Sequence, residues 1–261
     1  MNDFLAVARE AALKAGGILR DNLHGAREIN FKGDINLVTE MDVRSERAVV
    51  ETLLAAFPGH GVLAEEGTRI RNDSGFTWII DPLDGTTNYA HGYPCFSVSL
   101  ALEHKDEVIL GVVYDPMRDE LFTASKNQGA CLNGKQIKVS GIETLIKSLL
   151  ATGFPYDRKV HEDNNLDNFR DLLMASQEVR RDGSAALDLC YVAMGRFDGF
   201  WELKLKPWDV AAGSLIVCEA GGLVSTLSGG KSSIHDSEIL ASNGRIHTQM
   251  IEVLRNTRDS R

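Results

Sequence analysis

Apolar residues in the first segment, Phe4, Leu5, Ala8, Ala11, Ala12, Ala15, Ile18 and Leu19, recur at helical spacing. That period predicts an amphipathic helix ending near Leu23, its alanine-rich face being packing surface. Ile29–Lys32 could be a short strand. Thr39-Glu40-Met41-Asp42 resembles a capping box with Asp at the fourth place. Val49, Val50, Leu53, Leu54 and Phe57 extend a second helix from it, which Pro58-Gly59 stops. Val62–Ala64 and Trp78–Ile80 are short apolar runs of strand type. Pro82 is expected to end the second run, because proline lacks an N–H and fixes its own φ. From Ser97 the pattern reads as strands, Ser97–Glu103, Val108–Tyr114 and Leu121–Ala124, joined by short turns. Asn133-Gly134 is a hairpin signal, and Ile137–Val139 closes a predicted antiparallel meander. His104 and Asp106 fall at a turn and are expected to be solvated.

Near Leu149 the pattern changes. Leu149–Ala151 reads as a strand, and Leu166, Phe169, Leu172 and Leu173 mark a helix. Arg180-Arg181-Asp182-Gly183-Ser184-Ala185-Ala186 precedes an Ala/Leu-rich helix ending near Gly195. Phe197–Trp201 is a strand candidate that delivers Glu202, which by itself reads as a strand-end surface residue. Trp208 to Gly213 opens another helix, ended by Gly221-Gly222. Leu223–Thr226 and Ile239–Ala241 are further strands, Ile246–Leu254 is a closing helix, and the polar tail from Asn256 is expected to be loose. The expectation is one compact unit of two subdomains, residues 1–145 and 146–261.

Composition narrows the function. A formal net charge of −9 over 261 residues argues against nucleic acid or an anionic membrane as the main partner. A phosphate substrate would need a local positive centre, such as a bound metal. The four cysteines, Cys95, Cys131, Cys190 and Cys218, form no C-x-x-C pair and are expected to be reduced core thiols. There is no signal-peptide core and no apolar run approaching ~20 residues, so the cytoplasm is the expected location and no membrane span is expected.

The chemistry concentrates in Trp78 to Gly92, W-I-I-D-P-L-D-G-T-T-N-Y-A-H-G. Asp81 and Asp84 sit at the end of a buried strand. Gly85 permits a sharp turn, and Thr86, Thr87 and Asn88 look like a helix start, where free N–H groups favour an anion. Two close carboxylates repel unless a cation lies between them. A metal ion bridging protein and phosphate accounts for both features; an ordinary acidic strand-to-turn connection is the alternative.

The full string resembles the signature of the inositol monophosphatase family, magnesium-dependent, lithium-sensitive sugar-phosphate phosphatases. Trp208-Asp209-Val210-Ala211-Ala212-Gly213 resembles the family's second signature, W-D-x-A-A-G. Asp209 alone reads as an N-terminal helix charge, but in that signature the Asp is a metal ligand. The resemblance extends from the first helix to Gly222 and implies an α/β (α+β) fold, a layered αβαβα sandwich as in fructose bisphosphatases. Glu65 matches the first Glu of the family's G-E-E element, with Ala64 in place of the usual Gly. The implied ligands are Glu65, Asp81, Asp84, Asp209 and the Leu83 carbonyl. An all-oxygen set suits two or three Mg2+ ions, with Mn2+ as a substitute. Asp42, in Leu37-Val38-Thr39-Glu40-Met41-Asp42, matches the residue that helps activate the catalytic water, together with Thr86 and Glu65. Lys32 lies near a family lysine but reads as a solvated surface residue. Substrate contacts carry over to Asp84, Gly85, Thr86, Thr87, Gly183, Ser184, Ala185, Glu202 and Asp209.

The implied activity is hydrolysis of a small phosphate monoester, foremost myo-inositol 1-phosphate, by a homodimer. Fructose 1,6-bisphosphate and other sugar or nucleotide phosphates are alternative substrates. A metal-stabilised interaction protein with a vestigial site is the reading from another class.

Overall fold

The computed structural model describes residues 4–25, 29–31 and 37–259; Lys32 lies outside them. Helix α1 (Phe4–Asn22) is followed by the antiparallel pair β1 (Ile29–Phe31) and β2 (Leu37–Thr39), which leads into helix α2 (Glu40–Ala56). The Thr39 side chain accepts from the Met41 N–H, and Asp42 closes the capping box from the other side. Strands β3 (Gly61–Ala64), β4 (Arg69–Ile70) and β5 (Phe76–Asp84) come next. The short helix α3 (Thr86–Ala90) precedes β6 (Ser97–His104), β7 (Glu107–Asp115), β8 (Glu120–Ser125), β9 (Ala130–Leu132) and β10 (Lys135–Gln136). These form an eight-stranded sheet in the order β10-β9-β8-β7-β6-β5-β3-β4, with β3 and β5 parallel and the other neighbours antiparallel.

The chain then builds β11 (Leu149–Thr152), α4 (Leu166–Ala175), β12 (Glu178–Arg180), α5 (Ala185–Ala193), β13 (Gly199–Leu203), α6 (Pro207–Glu219), β14 (Leu223–Ser225), β15 (Glu238–Ser242) and α7 (His247–Asp259). The five-stranded second sheet runs β12-β11-β13-β15-β14.

Period-two alternation sorts the side chains into five layers. Trp78 and Ile80 of β5 pack with Ala8, Ala11, Ala12 and Ala15 of α1 and Leu53 of α2, whereas Ile79 between them faces α5 and α6. The second sheet repeats the device: Ala151, Phe200 and Ala241 share the α5/α6 core, and Leu150, Trp201 and Leu240 face Leu172 of α4 and Leu254 of α7. Helix α5 is therefore buried on all sides, as a helix caught between two sheets must be. The result is the αβαβα sandwich.

Local expectations fail in several places. Pro82 does not end its strand. Asp81 pairs with Ser99 and Asp84 with Ser97, so Pro82 and Leu83 together oppose Val98 in a β-bulge, a place where a missing N–H costs no ladder bond. The strand after Asn133-Gly134 is Lys135–Gln136, not Ile137–Val139, whose Val139 N–H bonds instead to the Ala220 carbonyl. His104 is half-buried, stacked on Phe76 with ring centroids 4.1 Å apart. Cys95 and Cys190 are buried, but Cys131 is half-buried and Cys218 exposed. The tail is helical to Asp259, tied down where the Thr257 hydroxyl donates to Asp171 at 2.7 Å.

Candidate active site

The bulge in β5 is what puts two acids on one side of the sheet. Asp81 and Asp84 are an odd number of residues apart, so a regular strand would point them to opposite faces. One extra residue between them restores a common face. Both line a cavity of about 500 Å³, which opens between the large sheet, the N-termini of α5 and α6, and the end of β13. Ser45 of α2 braces the bulge by donating to the Pro82 carbonyl at 2.7 Å. Gly85 follows with φ 104°, and an added Cβ would approach the Cys95 carbonyl oxygen to 3.0 Å, so the turn into α3 needs glycine on both counts.

Glu65 stands at the end of β3, its N–H bonded to the Ile80 carbonyl of β5 at 3.1 Å. Its turn is tied to α2 by Glu46, which accepts from Glu66 N (2.8 Å), Thr68 N (3.2 Å) and Thr68 Oγ1 (2.6 Å). Asp209 lies at the third position of α6, where its Oδ2 accepts from Lys206 N at 2.6 Å. Carboxylate oxygens of Glu65, Asp81 and Asp209 all come within 4.8 Å of one another. Asp84 is not in that trio. Its Oδ2 is held by the Ser184 hydroxyl at 2.6 Å and the Ala186 N–H at 2.8 Å, at the start of α5.

The electrostatics show acids that repel one another, with the Arg181 charge easing Asp84. Burial raises Asp81 well above its ordinary value, and the charges of Glu65, Asp84 and Asp209 add to the effect. Burial and the Asp84 charge push Asp209 up to about 8. Burial also raises Asp84, against the pull of its bonds to Ser184 and Ala186. Oxygen donors alone, crowded and mutually repelling, fit a hard divalent cation such as Mg2+. The Leu83 carbonyl also borders the cavity.

Asp42 is buried, and burial raises it against the hydrogen bonds it receives. Its Oδ2 accepts from Thr39 N (2.7 Å) and Thr39 Oγ1 (2.6 Å), and its Oδ1 lies 3.0 Å from Thr86 Oγ1. The Thr86 hydroxyl also lies 3.1 Å from the Leu83 carbonyl, and its one proton serves one of the two at a time. The Asp42–Thr86 pair thus joins two elements far apart in the chain at the cavity.

Of the carried-over substrate contacts, Gly85, Thr86, Gly183, Ser184, Ala185 and Glu202 line the cavity, whereas exposed Thr87 does not. Glu202 is no surface residue. It is 8% exposed and raised to about 8 by burial, which the Arg181 charge opposes. Gly153 makes room for it, since any Cβ there would strike the Glu202 carboxylate.

Relatives share this architecture. The profile of the inositol monophosphatase family matches residues 1–259. The chain belongs to the inositol monophosphatase family. It is 45% identical to an inositol-1-monophosphatase of Synechocystis, over 97% of this chain and 89% of that protein. It is 42% identical to the Nus factor SuhB of Escherichia coli, over 98% of this chain and 97% of that one. An inositol monophosphatase structure from Anabaena superposes with a TM-score of 0.89 at 46% identity, covering 97% of this chain and 95% of the other. Membership supports phosphatase chemistry on a small phosphorylated substrate, and the acidic cluster is consistent with the family's use of magnesium. No helix among the described residues is long and apolar enough to cross a membrane.

Several residues that line the cavity or brace its rim carry no sequence motif. Glu46 follows Asp42 by one helical turn, a spacing that marks a shared face. Asp188 interrupts an otherwise apolar helix. Tyr156 borders the cavity from the loop after β11.

Proposed function

We propose that the protein hydrolyses a small phosphate monoester, foremost myo-inositol 1-phosphate, with Mg2+ as its cofactor. The observation that carries this reading is the convergence of Glu65, Asp81 and Asp209 within 4.8 Å, beside the Asp42–Thr86 pair. Glu65, Asp81 and the Leu83 carbonyl would hold one ion, and Asp81, Asp84 and Asp209 a second. Bound there, Mg2+ would supply Lewis-acid chemistry, acidifying water and neutralising charge on the ester oxygens; Mn2+ fits the same donors.

The chain's own residues do the rest. With its proton donated to Asp42, the Thr86 hydroxyl presents its lone pairs to the cavity. There it accepts from the attacking water and passes a proton toward the buried carboxylate. Backbone N–H groups at Gly85 and Thr86 orient the phosphoryl oxygens. Glu202 and the Gly183–Ala185 turn receive the hydroxyls of the leaving alcohol. Two relatives with "inositol monophosphatase" or its 1-phosphatase form in their names support the substrate. A homodimer in the cytoplasm completes the proposal.

The test is phosphate release from a panel of monoesters with Mg2+, with and without Li+. Release from myo-inositol 1-phosphate that Li+ suppresses is the expected result; no release from any monoester would sink the reading. Relatives named Nus factor SuhB favour a second reading, a metal-binding assembly protein, and that negative result would point to it.

A further inference from the structure

Helix α5 lies between the two sheets, and each of its residues from Ala185 to Ala193 is buried. All but one of them suit that position. Asp188, one turn beyond the N-cap Ser184, is 1% exposed and carries a carboxyl into the sandwich. Its Oδ1 has no hydrogen-bond partner, and no basic side chain among the described residues forms an ion pair with it. Burial raises it well above its ordinary value, and the charges of Asp182, Glu202 and Asp84 add to this while Arg181 opposes it.

A buried acid of this kind needs a partner, either from the fold or from what enters the cavity. Among the described residues the fold offers none. The cavity wall, however, contains Asp188 together with Arg181, Gly183, Ser184 and Glu202. That wall is where a phosphate ester would place its alcohol. A carboxyl with free hydrogen-bonding capacity is complementary to a ring hydroxyl, and an apolar leaving group would leave it unpaired.

We propose that Asp188 is a specificity-determining residue that hydrogen-bonds a ring hydroxyl of the phosphorylated polyol, so that Asp188 and Glu202 together select polyol esters over esters without hydroxyls. The inference rests on the phosphatase reading given above and names the part of the substrate that α5 reads.

Asp188→Leu and Asp188→Asn test it, with myo-inositol 1-phosphate compared against p-nitrophenyl phosphate, whose leaving group has no ring hydroxyl. Asp188→Leu is expected to raise KM for the inositol ester by ~10-fold, the loss of about one hydrogen bond, with kcat changed much less. The preference between the two esters should shift by at least ~5-fold toward p-nitrophenyl phosphate, and Asp188→Asn, which keeps a donor and an acceptor, should recover most of it. The thermal midpoint of Asp188→Leu without ligand should be unchanged or higher. Equal losses on both esters with a lowered midpoint would make Asp188 a structural residue and overturn the proposal, as would unaltered preference. Calorimetric titration of myo-inositol 1-phosphate with Ca2+ present separates this inference from the one beneath it. Binding that weakens ~10-fold in Asp188→Leu, in a protein that releases no phosphate, would refute hydrolysis and leave Asp188 in place. Hydrolysis of both esters with the preference intact would refute the Asp188 role alone, and a wild-type chain that neither binds nor cleaves would refute both.

Discussion

Glu46 is a sharp test of how the candidate metal centre is built, because it would touch no ion and no substrate. Its carboxylate is 6% exposed and takes three hydrogen bonds from Glu66 and Thr68, fixing the turn that aims Glu65 at Asp81 and Asp209. In Glu46→Ala those three donors lose a charged acceptor. Bonds to charged groups contribute about 1.5–3 kcal/mol each, but the turn is half-exposed and water would serve part of the loss, so about 2–4 kcal/mol of stability is the expected total. The loosened turn should also weaken Mg2+ binding. Removing a residue that orients a ligand typically costs 10–100-fold in metal affinity, or about 1.4–2.7 kcal/mol. Glu46→Gln keeps one acceptor oxygen and should recover roughly half of each effect on a free-energy scale. The assays are the Mg2+ dependence of phosphate release and the Mg2+-induced rise in thermal midpoint. A half-saturating Mg2+ concentration equal to wild type in Glu46→Ala, with stability already lowered, would show that the turn does not position Glu65 and would refute the reasoning.

Other outcomes follow from the same geometry. Asp84→Asn or Asp209→Asn should each lower kcat/KM by at least ~100-fold, about 2.7 kcal/mol of barrier; steady-state kinetics at saturating Mg2+ near wild type would remove that residue from the mechanism. Thr86→Ala should slow turnover by roughly 10²–10⁴ if its hydroxyl carries the proton toward Asp42. Unchanged kcat with weakened Mg2+ binding would make it a ligand instead. Glu202 is held near 8 in the fold against 4.5 ordinarily, so the folded protein keeps a proton that the unfolded chain releases between those values. Stability should therefore be full below about pH 4.5 and fall as pH rises toward 8, by at most about 1.4 kcal/mol per pH unit for this group. In metal-free denaturant melts, Glu202→Gln should flatten that fall; an unchanged slope would refute the assignment. Gly153→Ala should displace the Glu202 carboxylate and raise KM for a polyol ester several-fold, with a smaller effect on p-nitrophenyl phosphate.

Hydrophobic periodicity made most elements legible, because the sandwich buries every sheet face and therefore imposes an alternating or helical pattern almost everywhere. What it could not show depends on pairing across the chain. Proline is a stop signal in isolation, yet Pro82 continues its strand because β6 accommodates a bulge opposite it. His104 reads as a turn residue until Phe76 arrives beneath it from the neighbouring strand. The edge strands β4 and β12 are too short to register any period. At the site, the acids standing in recognisable strings were visible, and the structure brings Glu65, Asp81 and Asp209 together. Glu202 read as exposed because its burial depends on Gly153 in a different strand's loop. Glu46 and Asp188 stayed silent because one bonds only backbone and a threonine, and the other bonds nothing among the described residues.

A common rule governs how the fold tolerates so many acids. Three of the candidate ligands, Asp81, Asp84 and Asp209, commit one carboxylate oxygen to a fixed donor. Asp81 accepts from Leu83 N at 2.9 Å with Oδ1, Asp84 from Ser184 and Ala186 with Oδ2, and Asp209 from Lys206 N with Oδ2. Asp42 gives Oδ2 to Thr39 and Oδ1 to Thr86. N–H and O–H donors orient a carboxylate without supplying a full counter-charge, so the side chains are fixed while their repulsion remains. Arginine or lysine partners would relieve that repulsion and leave little need for a cation. Rigid geometry with mutually repelling charges is the condition under which a divalent ion gains most on entering, since no side chain must be reordered and every neighbouring carboxylate is relieved at once. Asp188 commits neither oxygen to the fold in any bond among the described residues, which leaves it for a ligand other than the metal.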